Sequence, residues 1–290
     1  MAGPKPTRKS GQAVARKKSG TATAAPASIV VERRNAIAIV ILNRPEVHNA
    51  FDETLIGELT ETFEMLGTDD SVRAVVVAGA GRSFCAGADL NWMKRMATYS
   101  AAGNLADAER LAAMLRALYG MAKPTIARVH GTAMGGGVGL VACCDIAIGT
   151  QDATFALSEA KLGLIPATIG PYVIEAIGAR AARRYFLTAE RFSAAEAYRL
   201  GLLHDIVTAE DLDTRINEIL GALLIAGPRA QLECKALIRG VAHRPIDDDV
   251  IAGTAEHIAA VRVSPEGREG VAAFLAKRQP DWVPTEPSKK

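Results

Sequence analysis

The sequence has little cysteine, and none of it is spaced for a metal or a disulfide framework. Cys85, the adjacent pair Cys143 and Cys144, and Cys234 include no C-x-x-C, so the common zinc spacings are excluded and a reducing compartment fits best. A cytoplasmic location is the expectation. The five histidines, His48, His130, His204, His243 and His257, form no H-x-x-H or H-E-x-x-H, and no metal is expected. Long apolar runs are also missing. The longest, residues 36–42, falls far short of the roughly 18 to 20 residues that a membrane-spanning helix needs. Three familiar catalytic signatures are absent as well. There is no Walker A Gly-Lys-Ser/Thr. Gly81-Arg-Ser-Phe-Cys85 lacks the second glycine of a nucleophile elbow, and Gly79-Ala-Gly81 reaches Phe84 where a dinucleotide fingerprint needs its third glycine. No tightly bound cofactor is expected.

Acidic residues are missing from the first 27 positions, which carry Lys5, Arg8, Lys9, Arg16, Lys17 and Lys18. The chain holds 34 basic and 32 acidic residues, a net of +2. Without those six cations, 28 basic residues face 32 acidic ones, a net of −4. The positive balance therefore belongs to residues 1–27, a segment rich in Ala, Pro, Ser, Thr and Lys. It offers too little apolar surface to bury and is expected to be a disordered basic arm. A transit peptide and a nucleic-acid-binding arm are the alternatives.

Beyond the arm, strand and helix patterns alternate. Residues 29–32 and 37–42 read as two strands around Arg33-Arg34-Asn35. Asp52 is a good N-cap for a helix with Leu55, Leu59, Phe63 and Leu66 on one face. Residues 74–78 and 125–129 have the β-branched, apolar character of strands buried on both faces. A long helical region reaches Tyr119, a second helix is opened by Gly135-Gly136-Gly137, and short strands follow near 146–149 and 154–156. After Pro171 the pattern is mostly helical, with helices expected at 183–187, 194–200, 212–225, 228–239 and 248–261. Ser264-Pro265-Glu266 starts a last helix that runs to Lys277. The fold expected is an α/β core over residues 28–220, followed by an all-helical region over 221–290. A helical tail outside a complete core needs a surface to cover it, so a homo-oligomer is expected.

Two glycine-rich loops stand directly after buried strands: Cys85-Ala-Gly-Ala-Asp-Leu90 and His130-Gly-Thr-Ala-Met-Gly-Gly-Gly137. In an open α/β sheet such loops face one crevice. Glycine lets the backbone approach a ligand, and the first amides of a helix have no internal partner. Two amides aimed at one oxygen form an oxyanion hole. Glycines also serve tight turns and close packing, and each loop taken alone allows that reading.

At this point the sequence resembles the crotonase superfamily, the enoyl-CoA hydratases and isomerases. The resemblance runs from Ile29 to Trp282. Asn43-Arg-Pro45 with Asn49-Ala50 is similar to the first signature, and Phe84 through Leu90 to the first oxyanion loop. Gly131 through Gly137 is similar to the second loop, Phe155 through Pro166 to the catalytic turn, and Phe274 through Arg278 with Trp282 to the closing helix and tail. The resemblance implies a crotonase-like repeated ββα core with a C-terminal all-helical oligomerisation region, forming a homotrimer or dimer of trimers. It implies an acyl-CoA substrate, with coenzyme A entering as part of that substrate. The amides of Ala88 and Gly136 would polarise the thioester carbonyl, and Glu159 would move protons. Ala86, Asp89, Leu90, Gly135, Gly139, Phe274 and Lys277 are the substrate-binding candidates. Asp89 also reads as a helix cap, and Asp145 as structural.

One departure bears on the chemistry. Two-carboxylate hydratases of this family carry a glutamate two residues after the triple glycine, where this sequence has Gly139. Glu159 remains, among Phe155, Leu157 and Leu162, which would raise its pKa. A single carboxylate suits a hydratase or an isomerase, and it also leaves open a noncatalytic CoA-ester-binding homologue. The stretch Ala88 through Ala97 resembles the bacterial branch that hydrates 3-methylglutaconyl-CoA in leucine breakdown, or the related carboxygeranoyl-CoA. Those substrates end in a carboxylate, for which Lys94, Arg95 and Arg128 are candidate partners. A eukaryotic relative binds RNA through a lysine-rich helix. The matching helix here offers only Lys94, Arg95, Arg110 and Arg116 among Asp107 and Glu109, a sparse phosphate track.

Overall fold

The computed structural model describes residues 1–3 and 27–283. The expected basic arm, 1–27, lies outside the described residues except at its ends. The chain opens with β1 (Ile29–Arg34) and β2 (Ile37–Leu42), an antiparallel pair joined at Asn35, whose φ of 53° suits the tight turn. After α1 (Glu53–Thr68) come β3 (Ala74–Gly79), α2 (Leu90–Met96), α3 (Ala101–Tyr119), β4 (Thr125–Val129), β5 (Thr132–Met134) and α4 (Gly136–Cys143). Then follow β6 (Ile146–Thr150), β7 (Thr154–Ala156), α5 (Gly170–Thr188), β8 (Arg191–Ser193), α6 (Ala194–Leu200) and β9 (Asp205–Val207). Helices α7 (Leu212–Ile225), α8 (Pro228–Val241), α9 (Asp248–Val263) and α10 (Pro265–Leu275) complete the described chain.

The main sheet has the order β1-β2-β3-β4-β6-β9, parallel from β2 onward. Alternate residues of one strand feed two apolar layers. Val75 and Val77 join α1, α3, α4 and α5 on one side, while Ala74 and Val76 meet Leu212, Ile216 and Leu220 of α7 on the other. Both faces are covered, so β3 is apolar throughout. A second, smaller sheet, β5-β7-β8, is extended by single bridges from Cys85 to Ala133 and from Ala88 to Phe51. The passages through β2, β3, β4 and β6 are each followed by a short extended segment in the second layer, which is the repeated ββα plan expected. Because α7 closes one face of the main sheet, the division drawn at residue 220 falls inside a core helix.

Helix starts follow their caps. Asp52, Ser100, Ser193, Asp247 and Ser264 each accept a hydrogen bond from an amide of the first turn. Three expectations need revision. The helical region before Tyr119 is two helices, because Ser100 starts a new one. The helix expected at 183–187 is the end of α5, which begins at Gly170 and is bent where Gly178 adopts φ 75°. The segment after Pro171 also contains β8 and β9, three residues each, too short to show alternation, and β9 forms the edge of the main sheet.

Helices α8–α10 stand outside this core, and among them only Ala273 is buried. They are tied down by polar contacts. Glu266 accepts from the amides of Arg229 and Ala230, capping α8 from another helix. The indole of Trp282 donates to the carbonyl of Ile225, and Arg73 donates to that of Ala226.

Candidate active site

The two glycine loops meet beside β5 and α4. The bridge between Phe51 and Ala88 fixes the first loop: Phe51 donates its amide to Gly87 O and accepts from the Asp89 amide. In such a ladder the intervening Ala88 amide points to the opposite side. Gly136 is the first residue of α4, so its amide precedes any intrahelical partner. Among the described residues, neither the Ala88 nor the Gly136 amide has a hydrogen-bond acceptor.

The carboxylate comes from the turn after β7. Glu159 stands at the head of a single 3-10 turn, Glu159–Leu162, closed by Gly163 in the left-handed region at φ 72°. Gly135, at φ 48° and ψ −117°, directs the chain so that a Cβ placed there would lie 3.1 Å from Glu159 Oε1 and 4.0 Å from Gly87 Cα. Both loops and the carboxylate therefore converge within a few ångströms, and a side chain at position 135 would intrude. Gly136 is equally constrained, since its Cβ would lie 2.7 Å from Cδ2 of the Phe51 ring. Glu159 Oε2 is buried with no hydrogen-bond partner. Burial raises its pKa above the ordinary carboxylate value.

These groups open onto a cleft of about 770 Å³. Ala86, Ala88, Gly135, Gly136 and Glu159 line it, as the sequence led us to expect. Of its other two walls, sequence reasoning placed only the turn through Pro166, with Leu162, and missed the rest. One comes from Trp92, Met93 and Met96 of α2 with Asn104, Asp107 and Leu111 of α3, and the other from residues 162–169. Helical spacing of Asn104, Asp107, Ala108 and Leu111 was the available signal.

Five other candidates lie outside this chain's cleft. Asp89 is buried and turned away: its carboxylate caps α2 at the Asn91 and Trp92 amides and pairs with Arg44. Leu90 begins α2 with its side chain outward, 73% exposed. Phe274, 81% exposed, and Lys277 belong to the far end of the C-terminal helices. Gly139 lies one turn into α4, behind Ile169; a Cβ there would lie 3.0 Å from Ile169 Cβ and overlap its Cγ2. Phe155 and Leu157 are buried in the core beneath the turn, and only Leu162 of the expected apolar neighbours reaches the cleft. Asp145 is structural, accepting from the amide and hydroxyl of Thr125 and from Lys235.

The expected carboxylate-binding cations do not reach the site. Arg95 is paired with Glu53, and Arg128 is paired with Asp213 at 2.6 Å. Lys94 does not line the cleft. The physical reason is direction: these side chains project from faces of α2 and β4 turned away from the cleft, where solvent and local acids satisfy them. Arg110 is engaged by Asp107, which thins the cationic track proposed for RNA still further.

Comparison with known proteins bears on the same geometry. The model of the enoyl-CoA hydratase/isomerase family matches residues 32–285, most of the chain and every element of the cleft. The chain belongs to this family. A crotonyl-CoA hydratase of Syntrophomonas wolfei is 30% identical over 258 residues, 88% of this chain and 98% of that protein. Among solved structures, an enoyl-CoA hydratase from Shewanella pealeana is 44% identical with a TM-score of 0.86, covering 88% of this chain and 96% of its own. An enoyl-CoA hydratase/isomerase from Marinobacter aquaeolei is 34% identical with a TM-score of 0.83, covering 89% and 99%. In this chain Ile169 occupies the space beside Gly139.

Proposed function

We propose that this chain hydrates a branched enoyl-CoA thioester, with one carboxylate moving both protons. The observation that carries the proposal is the convergence of Glu159, buried with an unpartnered oxygen, with the two acceptor-free amides of Ala88 and Gly136. The thioester oxygen accepts from both amides, which draws electrons from the conjugated double bond. One such donor is worth about 2.7 to 4 kcal/mol in other enzymes. Water adds its oxygen to C3 while Glu159 takes its proton; the resulting enolate collapses as the same carboxyl returns a proton to C2. Hydrogen and hydroxyl are thus added across the bond, and Glu159 ends as it began. A carboxyl with a raised pKa is suited to both halves of this exchange.

Isomerisation is the second reading, favoured by the missing carboxylate at Gly139. There Glu159 takes a proton from C2 and returns it to C4, with no water involved. 3-Methylglutaconyl-CoA ends in a carboxylate, and among the described residues no lysine or arginine lines the cleft, so it stands as one member of the branched class to be assayed. A homotrimer or dimer of trimers is the assembly proposed, supported by the exposed Leu237, Ile238, Ile251, Phe274 and Leu275 on α8–α10. A cytoplasmic location is proposed on cysteine usage alone.

The deciding assay follows loss of enoyl-thioester absorbance with crotonyl-CoA and 3-methylglutaconyl-CoA, beside a 3-enoyl to 2-enoyl isomerisation test. Hydration of 3-methylglutaconyl-CoA supports the proposal, and hydration of crotonyl-CoA alone would keep the hydration and remove the branched substrate. Isomerisation alone would replace it with the second reading, and no turnover of any of the three would leave a CoA-ester-binding homologue.

A further inference from the structure

The two amides assigned to the thioester oxygen come from different loops, and one residue touches both. Phe51 is 1% exposed and stands between the loops. Its backbone flanks the first donor. The Phe51 amide donates to Gly87 O at 2.6 Å and its carbonyl accepts from the Asp89 amide at 2.8 Å, on either side of Ala88. Its ring meets the second donor. A Cβ at Gly136 would lie 2.7 Å from Phe51 Cδ2, overlap Cε2 and stand 3.7 Å from Cζ, so the ring fills the volume that a side chain at 136 would take.

The neighbouring glycines make this contact part of a wider seat. A Cβ at Gly135 would lie 4.0 Å from Gly87 Cα, and one at Gly137 would lie 3.0 Å from Cys85 Cβ and overlap the Cys85 carbonyl. The start of α4 is thus set down on the first loop at three successive residues. The outer two contacts run largely to backbone; the middle one runs to a ring, whose size a substitution can change. Phe51 itself is held on both sides. Asn49, fully buried at φ 58°, accepts from the Arg44 amide and donates through Nδ2 to the carbonyls of Ala80 and Ser83 at 2.8 Å and of Phe84 at 3.2 Å. Ala50 O accepts from Arg44, and Asp52 caps α1. The ring is therefore a spacer mounted on a fixed backbone.

We propose that Phe51 is a positioning residue that sets the separation of the two oxyanion donors: its backbone aims the Ala88 amide, and its ring fixes how near the Gly136 amide stands. Such donors have to lie within about 2.7 to 3.1 Å of the developing oxyanion, and a misplacement of about 1 Å can cost about 10²-fold in rate. A smaller side chain lets the first turn of α4 settle toward the first loop. The hydrogen bonds at Gly87 and Asp89 stay in place, but the two amides no longer converge on one oxygen. This inference rests on reading Ala88 and Gly136 as the donors to a thioester oxygen, but not on which reaction follows.

The test compares two saturated ligands, butyryl-CoA and its thioether butyl-CoA, which differ only in whether a carbonyl or a methylene follows the sulfur. Calorimetry on the full chain gives both affinities, and infrared spectra of isotope-labelled butyryl-CoA give the stretching frequency of the bound carbonyl. The native chain should bind the thioester about tenfold tighter than the thioether, the scale of two hydrogen bonds, with the carbonyl frequency lowered on binding. Phe51→Leu should lose one donor's share of that preference, leaving about threefold, and part of the frequency shift, while thioether affinity holds. Turnover should fall about tenfold or more in kcat with KM little changed. An unchanged thioester preference and carbonyl frequency in the folded variant would overturn the positioning role. Equal weakening of both ligands would overturn it too, because the ring would then be a wall of the acyl pocket and not a spacer. A native chain with no preference for the thioester would instead overturn the oxyanion reading itself, so the two failures are distinct. If Phe51→Leu does not fold, as judged by its melting curve, Phe51→Met, which is flexible where the ring is rigid, decides on the same two ratios.

Discussion

Ile169 fills the space that a side chain at Gly139 would need. The two residues come from α4 and from the turn before α5, and a Cβ at 139 would lie 3.0 Å from Ile169 Cβ. Substituting Gly139→Glu should therefore destabilise the fold by about 1 to 3 kcal/mol, as overpacking of a filled core does. Ile169→Ala should relieve most of that, so the double variant melts higher than the two separate losses predict. The same double variant should gain hydration rate relative to isomerisation, since it has a second carboxylate. Melting temperatures for the four chains of the cycle, with rates on crotonyl-CoA, check both points. Strict additivity would mean that Ile169 does not govern position 139.

Glu159→Gln should lower turnover by about 10² to 10⁴, the range for losing a general acid and base, while CoA-ester affinity changes little. Retained turnover would remove Glu159 from the proposed mechanism.

The pH dependence follows from the direction of the Glu159 shift. Burial raises its folded pKa above the ordinary 4.5, so the folded state holds the proton more tightly than the unfolded chain. Its contribution to stability is complete below the unfolded value and is lost as pH rises through the folded value. Melting scans should accordingly show the native chain losing ground to Glu159→Gln as pH rises from about 4.5 toward neutrality. A difference that stayed flat or grew in the other direction would contradict a buried, unpaired carboxyl. The acidic limb of kcat/KM should likewise lie above the ordinary carboxylate range.

Arg44 ties together two helix caps. Its Nη2 lies 3.0 Å from Asp52 Oδ2 and 3.2 Å from Asp89 Oδ2, and its Nη1 donates to the Ala50 carbonyl at 2.6 Å. Arg44→Ala should cost about 2 to 4 kcal/mol, because two largely buried carboxylates lose their counter-charge. Arg44→Lys should recover only part of this, since a single ammonium cannot serve three acceptors in the fork geometry of a guanidinium. Chemical denaturation of the three chains provides the comparison, and a full rescue by lysine would show that charge alone matters.

The assembly proposed for α8–α10 can be tested at Phe274, which is exposed in the isolated chain. Phe274→Asp should shift the sedimentation coefficient from an oligomer to a monomer without altering the melting of the α/β core. A native chain that already sediments as a monomer would remove the proposal.

Local chemistry fixed much of this molecule from its sequence alone. Asp52 and Ser264 start the helices expected of them because a short oxygen-bearing side chain satisfies the orphan amides of the first turn, and no tertiary context is needed. Residues 74–78 had to be a strand covered on both sides, because an apolar β-branched run has no face to give to water. The glycine loops and Glu159 were legible through their motifs, and that motif legibility covers Ala86, Ala88, Gly135 and Gly136. The tertiary structure alone decided the rest. Only folding brought Ile169 over Gly139, paired the expected cap Asp89 with Arg44, and aimed Lys94, Arg95 and Arg128 away from the cleft. It also set Asp107 and Asn104 into the cleft wall and added β9 to the sheet edge. Each of these depends on contacts between residues tens of positions apart, or on which way a side chain leaves its helix, and neither is written in spacing. A carboxylate's partner is decided by what packs against it, so the same aspartate reads alike as cap, ion pair or ligand until the chain is folded.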